Sequence, residues 1–330
     1  MKKPRVWITR RIPQRGLDLI SPYAEIDLWE DELPPSYDVI LEKVRGIEGL
    51  LCLLTDRIDD RVLDAAGSSL RVISQFAVGY DNIDISAATA RKIPVGNTPG
   101  VLTDATADFT WALLMAAARR VIEGDRFVRS GGWKTWGPTF LLGADIARST
   151  LGIIGFGRIG QAVARRARGF EMRVLYFDPQ RHLALEQELG ASYAPLEDVL
   201  QEADFISIHT PLTPETYHLI SDAQFALMKS GAILINTARG SIVDPQALYR
   251  ALSTHRIAAA ALDVTEPEPI PPDSPLLSLE NLLITPHIAS ASFHSRTRMA
   301  EMAAENLLAG LRGEQLPNCV NPEVYQRTQE

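Results

Sequence analysis

Three polar residues each stand just past an apolar run: Arg239 in Asn236-Thr-Ala-Arg-Gly240, Glu268 in a loop holding Pro267, Pro269, Pro271, Pro272 and Pro275, and His287 in Thr285-Pro-His-Ile-Ala-Ser290. Side chains at such strand ends face ligands more readily than cores. Delivery of a hydride to a carbonyl needs a proton donor for the nascent alkoxide, and an imidazole with a carboxylate neighbour supplies one near neutral pH. His287 fits as that acid and Glu268 as its partner. Arg239 adds a permanent planar cation that engages a carboxylate and the adjacent carbonyl oxygen with more direction than a lysine would. Taken singly, a strand-end arginine is more often a structural ion-pair partner. The three together point to a 2-oxo acid as substrate.

A hydride carrier is written into Ser149-Thr-Leu-Gly-Ile-Ile-Gly155-Phe-Gly157-Arg-Ile-Gly160, followed by Arg173-Val-Leu-Tyr-Phe-Asp178. This order reads as strand, phosphate-cradling turn, helix, and a second strand ending in an acid that reaches a ribose. Gly155 permits the turn, Gly157 lets backbone N–H groups approach a pyrophosphate, and Gly160 lets the helix pack on the strand. Glycine-rich turns alone occur in many α/β proteins. Here the acid stands 18 positions beyond Gly160, as a dinucleotide site requires.

The elements that must position these groups are legible as β-type runs. Arg5–Thr9, Glu25–Trp29, Gly49–Leu54, Val72–Phe76 and Pro94–Thr98 precede the glycine motif with helical stretches between them, which predicts a small α/β unit. Val101–Arg120 is apolar nearly all round and follows Pro99-Gly100, as expected of a buried helix joining two domains. From Leu151 the strands Arg173–Asp178, Asp204–Thr210, Ala232–Thr237, Ala258–Val264 and Asn281–Thr285 alternate with helices, the pattern of a doubly wound parallel sheet. A last helix over about Ala291–Arg312 is long enough to return to the first unit. The expected organisation is therefore a discontinuous substrate domain, 1–99 with 288–330, around a dinucleotide (Rossmann) domain, 100–287.

Composition narrows the function. The 330 residues carry 46% hydrophobic side chains, enough for two cores, and a net charge of -8. No long basic run is present, which argues against nucleic acid or an anionic membrane surface as partner. Cys52 and Cys319 show no disulfide or metal-ligand spacing, no metal site is expected, and no apolar stretch has the length of a membrane span. Met1-Lys-Lys is followed by too short an apolar stretch for a secretory signal, so a cytoplasmic location is expected.

On Val78-Gly-Tyr-Asp-Asn82, Gly155-Phe-Gly-Arg-Ile-Gly160, Thr237-Ala-Arg-Gly240, Leu262-Asp-Val264 and Pro286-His287, the chain resembles the D-isomer-specific 2-hydroxyacid dehydrogenases from its first strand to about Asn318. Thr98–Ala107, Gly131–Trp136 and Leu262–Pro269 are most similar to glyoxylate/hydroxypyruvate reductases. The resemblance implies a flavodoxin-like substrate domain and a catalytic set of Arg239, Glu268 and His287. It places the substrate against Leu54, the backbone N–H groups of Val78 and Gly79, Trp136, Arg239 and Ser290. Cofactor contacts are implied for Thr106, the turn Gly155, Gly157, Arg158, Ile159 and Gly160, and Asp178. Further contacts are implied for Thr210, Pro211, Thr216, Thr237, Ala238, Asp263, His287 and Ala289, with Asp263 near the nicotinamide amide. Plainer readings exist for several: helix packing for Thr106, a capping acid for Asp263, loop hydrogen bonding for Thr210 and Thr216, and an N-cap of the last helix for Ser290. Ala289 departs from the glycine common in this family and slightly narrows backbone freedom beside the site. Trp133 and Trp136 read as core or interface anchors; the resemblance implies a homodimer in which Trp136 reaches the partner's substrate pocket.

Asp178 accepts ribose hydroxyls and repels a 2′-phosphate, which favours NAD(H) over NADP(H). Arg181 complicates this, since a cation swung over the site offsets Asp178, and NADP(H)-using relatives carry an arginine here. The apolar wall of Leu53, Leu54 and Trp136 suits a short acid such as glyoxylate or hydroxypyruvate. A phosphorylated substrate needs further basic groups near Val78 that the chain does not show. The alternatives are another D-2-hydroxyacid dehydrogenase, such as one acting on 3-phosphoglycerate, and a dinucleotide-sensing corepressor-like protein.

Overall fold

The structure, a computed structural model, describes residues 2–326; Met1 of the N-terminal reading and the last four residues of the expected 288–330 segment lie outside them. In chain order, β1 (Arg5–Ile8), α1 (Gln14–Ile20), β2 (Glu25–Leu28), α2 (Tyr37–Lys43), β3 (Gly49–Cys52), α3 (Asp60–Ala66), β4 (Val72–Gln75), α4 (Ile85–Ala90) and β5 (Val95–Gly96) come first. They are followed by α5 (Thr103–Ala118), α6 (Val121–Arg129), β6 (Thr150–Ile154), α7 (Arg158–Ala167), β7 (Arg173–Phe177), α8 (Leu183–Leu189), β8 (Ala191–Tyr193) and α9 (Leu196–Glu202). Last come β9 (Phe205–Ile208), α10 (Asp222–Leu227), β10 (Ile233–Asn236), α11 (Pro245–Ser253), β11 (Ala259–Leu262), β12 (Leu282–Ile284) and α12 (Phe293–Arg312). Backbone contacts divide the chain into two compact units, Met1–Leu102 with Ala291–Glu330, and Thr103–Ser290.

The first unit is a parallel sheet in the order β2-β1-β3-β4-β5, the order of flavodoxin-like folds. β3 and β4 are buried at every position, as strands covered on both faces must be; β3 carries Leu50, Leu51 and Cys52, and β4 pairs Val72 and Ile73 with the buried polar Ser74 and Gln75. Each fully buried Leu or Ile there contributes about 1.5–3 kcal/mol. α12 covers one face: the Ser74 hydroxyl donates to the Ala303 carbonyl at 2.8 Å. Glycines bring the partners of α12 close, since a Cβ on Gly16 would lie 2.9 Å from the Ala300 carbonyl oxygen and one on Gly310 2.4 Å from Val72. The helix starts at Ser292, whose side chain accepts from the Ser295 N–H at 3.1 Å, and stops at Gly313 with φ +73°. Ser290 is therefore not its N-cap: the chain stays non-helical for two further residues because the Asp263 carboxylate holds the Ile288 and Ala289 N–H groups in a turn.

The second unit carries a parallel sheet ordered β12-β11-β10-β9-β6-β7-β8, a doubly wound Rossmann arrangement whose switch point lies between β6 and β9. β9 and β10 are buried throughout. α5 packs on α7, β10 and β11. The short edge strand β8, paired with β7 through Val174–Ala191 to Tyr176–Tyr193, is an element that the apolar pattern does not announce.

Candidate active site

The turn after β6 is built for phosphate. Gly155 has φ +92°, and a Cβ there would lie 2.6 Å from the His209 carbonyl carbon and the Thr210 nitrogen, so no side chain fits. A Cβ on Gly160 would lie 2.2 Å from the Gly155 carbonyl oxygen, which is how α7 comes so close to the turn. Gly157 is different: nothing lies within 4 Å of its Cβ direction, and as N-cap of the ten-residue α7 it makes no side-chain cap bond. The first N–H groups of α7, at Arg158, Ile159 and Gly160, thus open on unfilled space at the positive end of a helix, which fits a dinucleotide's pyrophosphate.

At the end of β7, Asp178 accepts from the Phe156 N–H at 2.7 Å and the Gln180 N–H at 3.0 Å, so the acid also ties the glycine turn to the second strand. His182 Nε2 lies 3.7 Å from the oxygen that Gln180 reaches. Arg181 is not over Asp178: it forms a two-bond pair with Glu186 at 2.8 and 3.0 Å and sits above the Tyr193 ring. Thr210 and Pro211 follow β9, and the Thr216 hydroxyl closes that loop by donating to the Pro211 carbonyl at 2.7 Å. Thr237 and Ala238 follow β10, with the Thr237 hydroxyl 3.0 Å from that of Thr110. Thr106, 4% exposed in α5, accepts the Thr110 hydroxyl on its carbonyl at 2.8 Å.

His209, beneath the glycine turn, shares a 2.8 Å bond with the Ser207 hydroxyl, and burial pushes its imidazole down to about 3. The unfolded ring takes up a proton near its ordinary value of 6.5 while the native ring stays neutral, so stability is lost as pH falls from about 6.5 toward 3. At pH 5 a fully shielded ring would forfeit about 2 kcal/mol at ~1.36 kcal/mol per pH unit. His209 keeps some solvent contact, so about 1 kcal/mol is expected, or roughly 2–4 °C in Tm for a unit of this size. His209→Gln should remove that part of the fall in Tm between pH 7 and pH 5; parallel Tm curves for the two proteins would refute it.

Arg239, Glu268 and His287 follow the C-terminal ends of the adjacent strands β10, β11 and β12. His287 Nδ1 and Glu268 Oε1 are 2.6 Å apart, with side chains 23% and 34% exposed. The His287 turn is rigid. Its N–H donates to the Asp263 carbonyl at 2.9 Å, and the Asp263 carboxylate accepts from the Thr285 hydroxyl at 2.6 Å and the Ile288 and Ala289 N–H groups at 2.9 and 2.7 Å. Asp263, 1% exposed, is thus the anchor of the histidine turn rather than a helix cap. The anchoring holds His287 at φ +55°, a left-handed conformation that costs on the order of 1–2 kcal/mol for a residue with a Cβ. Arg239 is positioned by Asn236, which is fully buried, donates to the Arg239 carbonyl at 2.8 Å and accepts from the Ala238 N–H at 2.9 Å. One Arg239 guanidinium nitrogen donates to the Ala238 carbonyl at 2.8 Å. Sequence reasoning missed Asn236; a lone amide ending the apolar run Ile233-Leu-Ile-Asn236 was its signal.

In the first unit, Leu53 and Leu54 follow β3 and Val78 and Gly79 follow β4. The Asn82 amide bridges the two loops, donating to the Leu53 and Asp56 carbonyls at 3.0 and 2.8 Å and accepting from Gln75 Nε2 at 2.7 Å. Gln75 also reaches the Gly79 carbonyl, and Asn97 the Val78 carbonyl. Asp56, its carboxyl pushed up by burial, accepts from the Thr9 hydroxyl at 2.5 Å and the Leu53 N–H at 2.7 Å. Gln75 and Asp56 are further residues that sequence reasoning did not single out.

Trp133 and Trp136 lie on a segment after α6 that returns to the second unit where the Ala144 N–H meets the Ala118 carbonyl. They are 63% and 78% exposed, and Phe140, Leu142 and Val128 are exposed beside them in sequence. They are not core.

A switch-point parallel sheet, a glycine turn at the head of α7 and a carboxylate–imidazole pair at neighbouring strand ends define a dinucleotide-binding protein equipped for proton transfer. Residues 111–289 match the D-isomer specific 2-hydroxyacid dehydrogenase, NAD binding domain. The chain is 59% identical to a glyoxylate reductase of Korarchaeum cryptofilum, over 98% of both chains. A crystal structure from Thermus thermophilus, 49% identical, superposes with a TM-score of 0.90, covering 96% of this chain and 99% of that one. An NADPH-dependent glyoxylate/hydroxypyruvate reductase of Sinorhizobium meliloti, solved with NADP and malonate, is 30% identical with a TM-score of 0.86 over the full length of both. The chain belongs to the D-isomer specific 2-hydroxyacid dehydrogenase family, and it is an NAD(P)-dependent dehydrogenase. Among the described residues no helix is long and apolar enough to cross a membrane.

Proposed function

We propose that this chain reduces glyoxylate and hydroxypyruvate to glycolate and D-glycerate, with Arg239, Glu268 and His287 as the catalytic residues. The observation that carries the reading is the 2.6 Å His287–Glu268 pair past the ends of β12 and β11, with Arg239 past the end of the next strand, β10, in a dinucleotide-binding sheet. When bound, reduced nicotinamide supplies the hydride. With Nδ1 donating to Glu268, the transferable proton of the ring sits on Nε2, from which it passes to the carbonyl oxygen of the substrate. Glu268 fixes that tautomer and compensates the charge of the protonated ring. Arg239 takes the substrate carboxylate and the carbonyl oxygen, polarising the bond to be reduced. Ser290 borders the remaining small substituent, with Trp136 supplied by a second copy of the chain. Gly155–Gly160, Asp178, Thr210–Thr216 and Thr237–Ala238 would hold the cofactor.

NADH is the preferred cofactor on this reading. Asp178 faces a 2′-phosphate with like charge, worth about 4 kcal/mol at 4 Å and an effective dielectric of 20, and Arg181 is engaged by Glu186. A panel of glyoxylate, hydroxypyruvate, pyruvate and 3-phosphohydroxypyruvate with both reduced cofactors should give the highest kcat/KM for one of the first two with NADH. The NADH preference should be at least about tenfold, and Glu186→Gln, which frees Arg181, should narrow it. Higher efficiency with NADPH in the unaltered protein would overturn the cofactor assignment.

The working form is a homodimer. Exposed aromatic and aliphatic side chains along 128–142 form a segment that a second copy covers, with Trp136 bordering the partner's substrate pocket. Light scattering should give about twice the mass of one chain, and an active monomer would refute this. Two free cysteines suit a reducing, cytoplasmic setting.

A further inference from the structure

We infer that His218 is a positioning residue for this reaction, fastening the loop that carries Glu268 to the turn that carries Arg239; the inference rests on the catalytic assignment proposed above. His218 belongs to neither segment, yet it is bonded to both. Its backbone N–H donates to the Ser241 carbonyl at 2.8 Å, two residues past Arg239. Its ring Nε2 lies 2.5 Å from Glu266 Oε2, two residues before Glu268. A second carboxylate–imidazole pair thus stands beside the first, built from the same loop.

The surroundings leave little slack. A Cβ on Gly240 would lie 1.9 Å from the Thr265 carbonyl oxygen, so the Arg239–Gly240 turn and the Thr265–Glu266 backbone touch and move only together. The Thr265 hydroxyl spans to the Pro267 carbonyl at 2.8 Å, stiffening the stretch between Glu266 and Glu268. His218 itself is held at φ +51°, a left-handed backbone conformation, with the Tyr217 ring stacked on its own at 4.0 Å. Pairs of a few bonds at strained backbone positions occur where a geometry must be held, and proton transfer through Glu268 and His287 is such a case. Without the His218 bond, Glu266 keeps only the hydrogen bond from Tyr217, and its loop loses the tie to the Arg239 turn. Glu268 would then drift from His287 without any group leaving the site.

The test uses the full-length protein with glyoxylate and NADH. His218→Ala should lower kcat about 10- to 100-fold, the scale of a misplacement of roughly 1 Å, while NADH Kd by fluorescence titration and glyoxylate KM stay within about threefold. His218→Phe keeps the ring and its stacking on Tyr217 but deletes the bond, and should fall as far. His218→Gln, which returns an N–H donor, should recover at least about fivefold. Glu266→Ala should cost nothing further in a His218→Ala background. The primary isotope effect from deuterated NADH should rise in the slow variants, which loss of folded protein alone would not produce. Wild-type turnover in His218→Phe overturns the inference, as does a loss in every variant that merely tracks the fraction of folded protein. Glu268→Gln run in parallel separates the two readings: if it too turns over normally, the catalytic assignment fails, and if it alone loses turnover, only the role of His218 fails.

Discussion

Replacing His287 by alanine is expected to lower kcat by about 10²- to 10⁴-fold, the usual cost of losing a general acid, with NADH Kd unchanged within about threefold. Cofactor binding should survive because the glycine turn, Asp178 and the Thr210–Thr216 loop do not depend on the His287 ring. The position sits at φ +55°, so a substitution also tests the turn. His287→Asn distinguishes the two effects, since asparagine tolerates the left-handed region but cannot act as the acid. Both variants should be equally slow and bind NADH alike; turnover near the wild-type rate in either would remove His287 from the chemistry.

Arg239→Lys is the second large effect. The charge stays, but the two-pronged geometry is lost, and with it at least one charge-assisted bond worth about 1.5–3 kcal/mol. The kcat/KM for glyoxylate should therefore fall about 10- to 150-fold, mostly through KM. Arg239→Ala should fall further and regain part of its activity with added guanidinium, whereas Arg239→Lys should not. An unchanged kcat/KM in the lysine variant would mean that the guanidinium fork does not meet the substrate.

The parts of this fold that local chemistry dictates are the parts the sequence displays. Gly155, Gly157, Gly160 and Asp178 fall in one strand–turn–helix–strand unit whose spacing shows in the sequence, although the close approach that requires Gly155 comes from His209 and Thr210 on the next strand. The buried strands β3, β4, β9 and β10 show as mainly apolar runs because both faces are covered, with Ser74, Gln75, Ser207 and Asn236 as their polar members. β8 escaped notice because three residues at a sheet edge carry no period. The start of α12 was expected at the wrong serine: Ser290 and Ser292 are equally good caps by type, and only the distant Asp263 decides between them. The His218–Glu266 pair is hidden for the same reason, since a 48-residue separation leaves no local mark. Asn236 and Gln75 bond within a few residues of themselves, but an amide at a strand end gains its role only once the turn after it is folded.

The interrupted first unit has a consequence for how the chain comes into being. β3 and β4 leave the ribosome early, yet the helix that covers them, α12, is made only after the whole of Thr103–Ser290. Until then the α12 face of the sheet, with Leu51 and Val72, lacks its lid, while the inserted unit already has every strand it needs. The nucleotide-binding half should thus mature first on the nascent chain, and nucleotide present during synthesis would steady it while the older residues wait for α12.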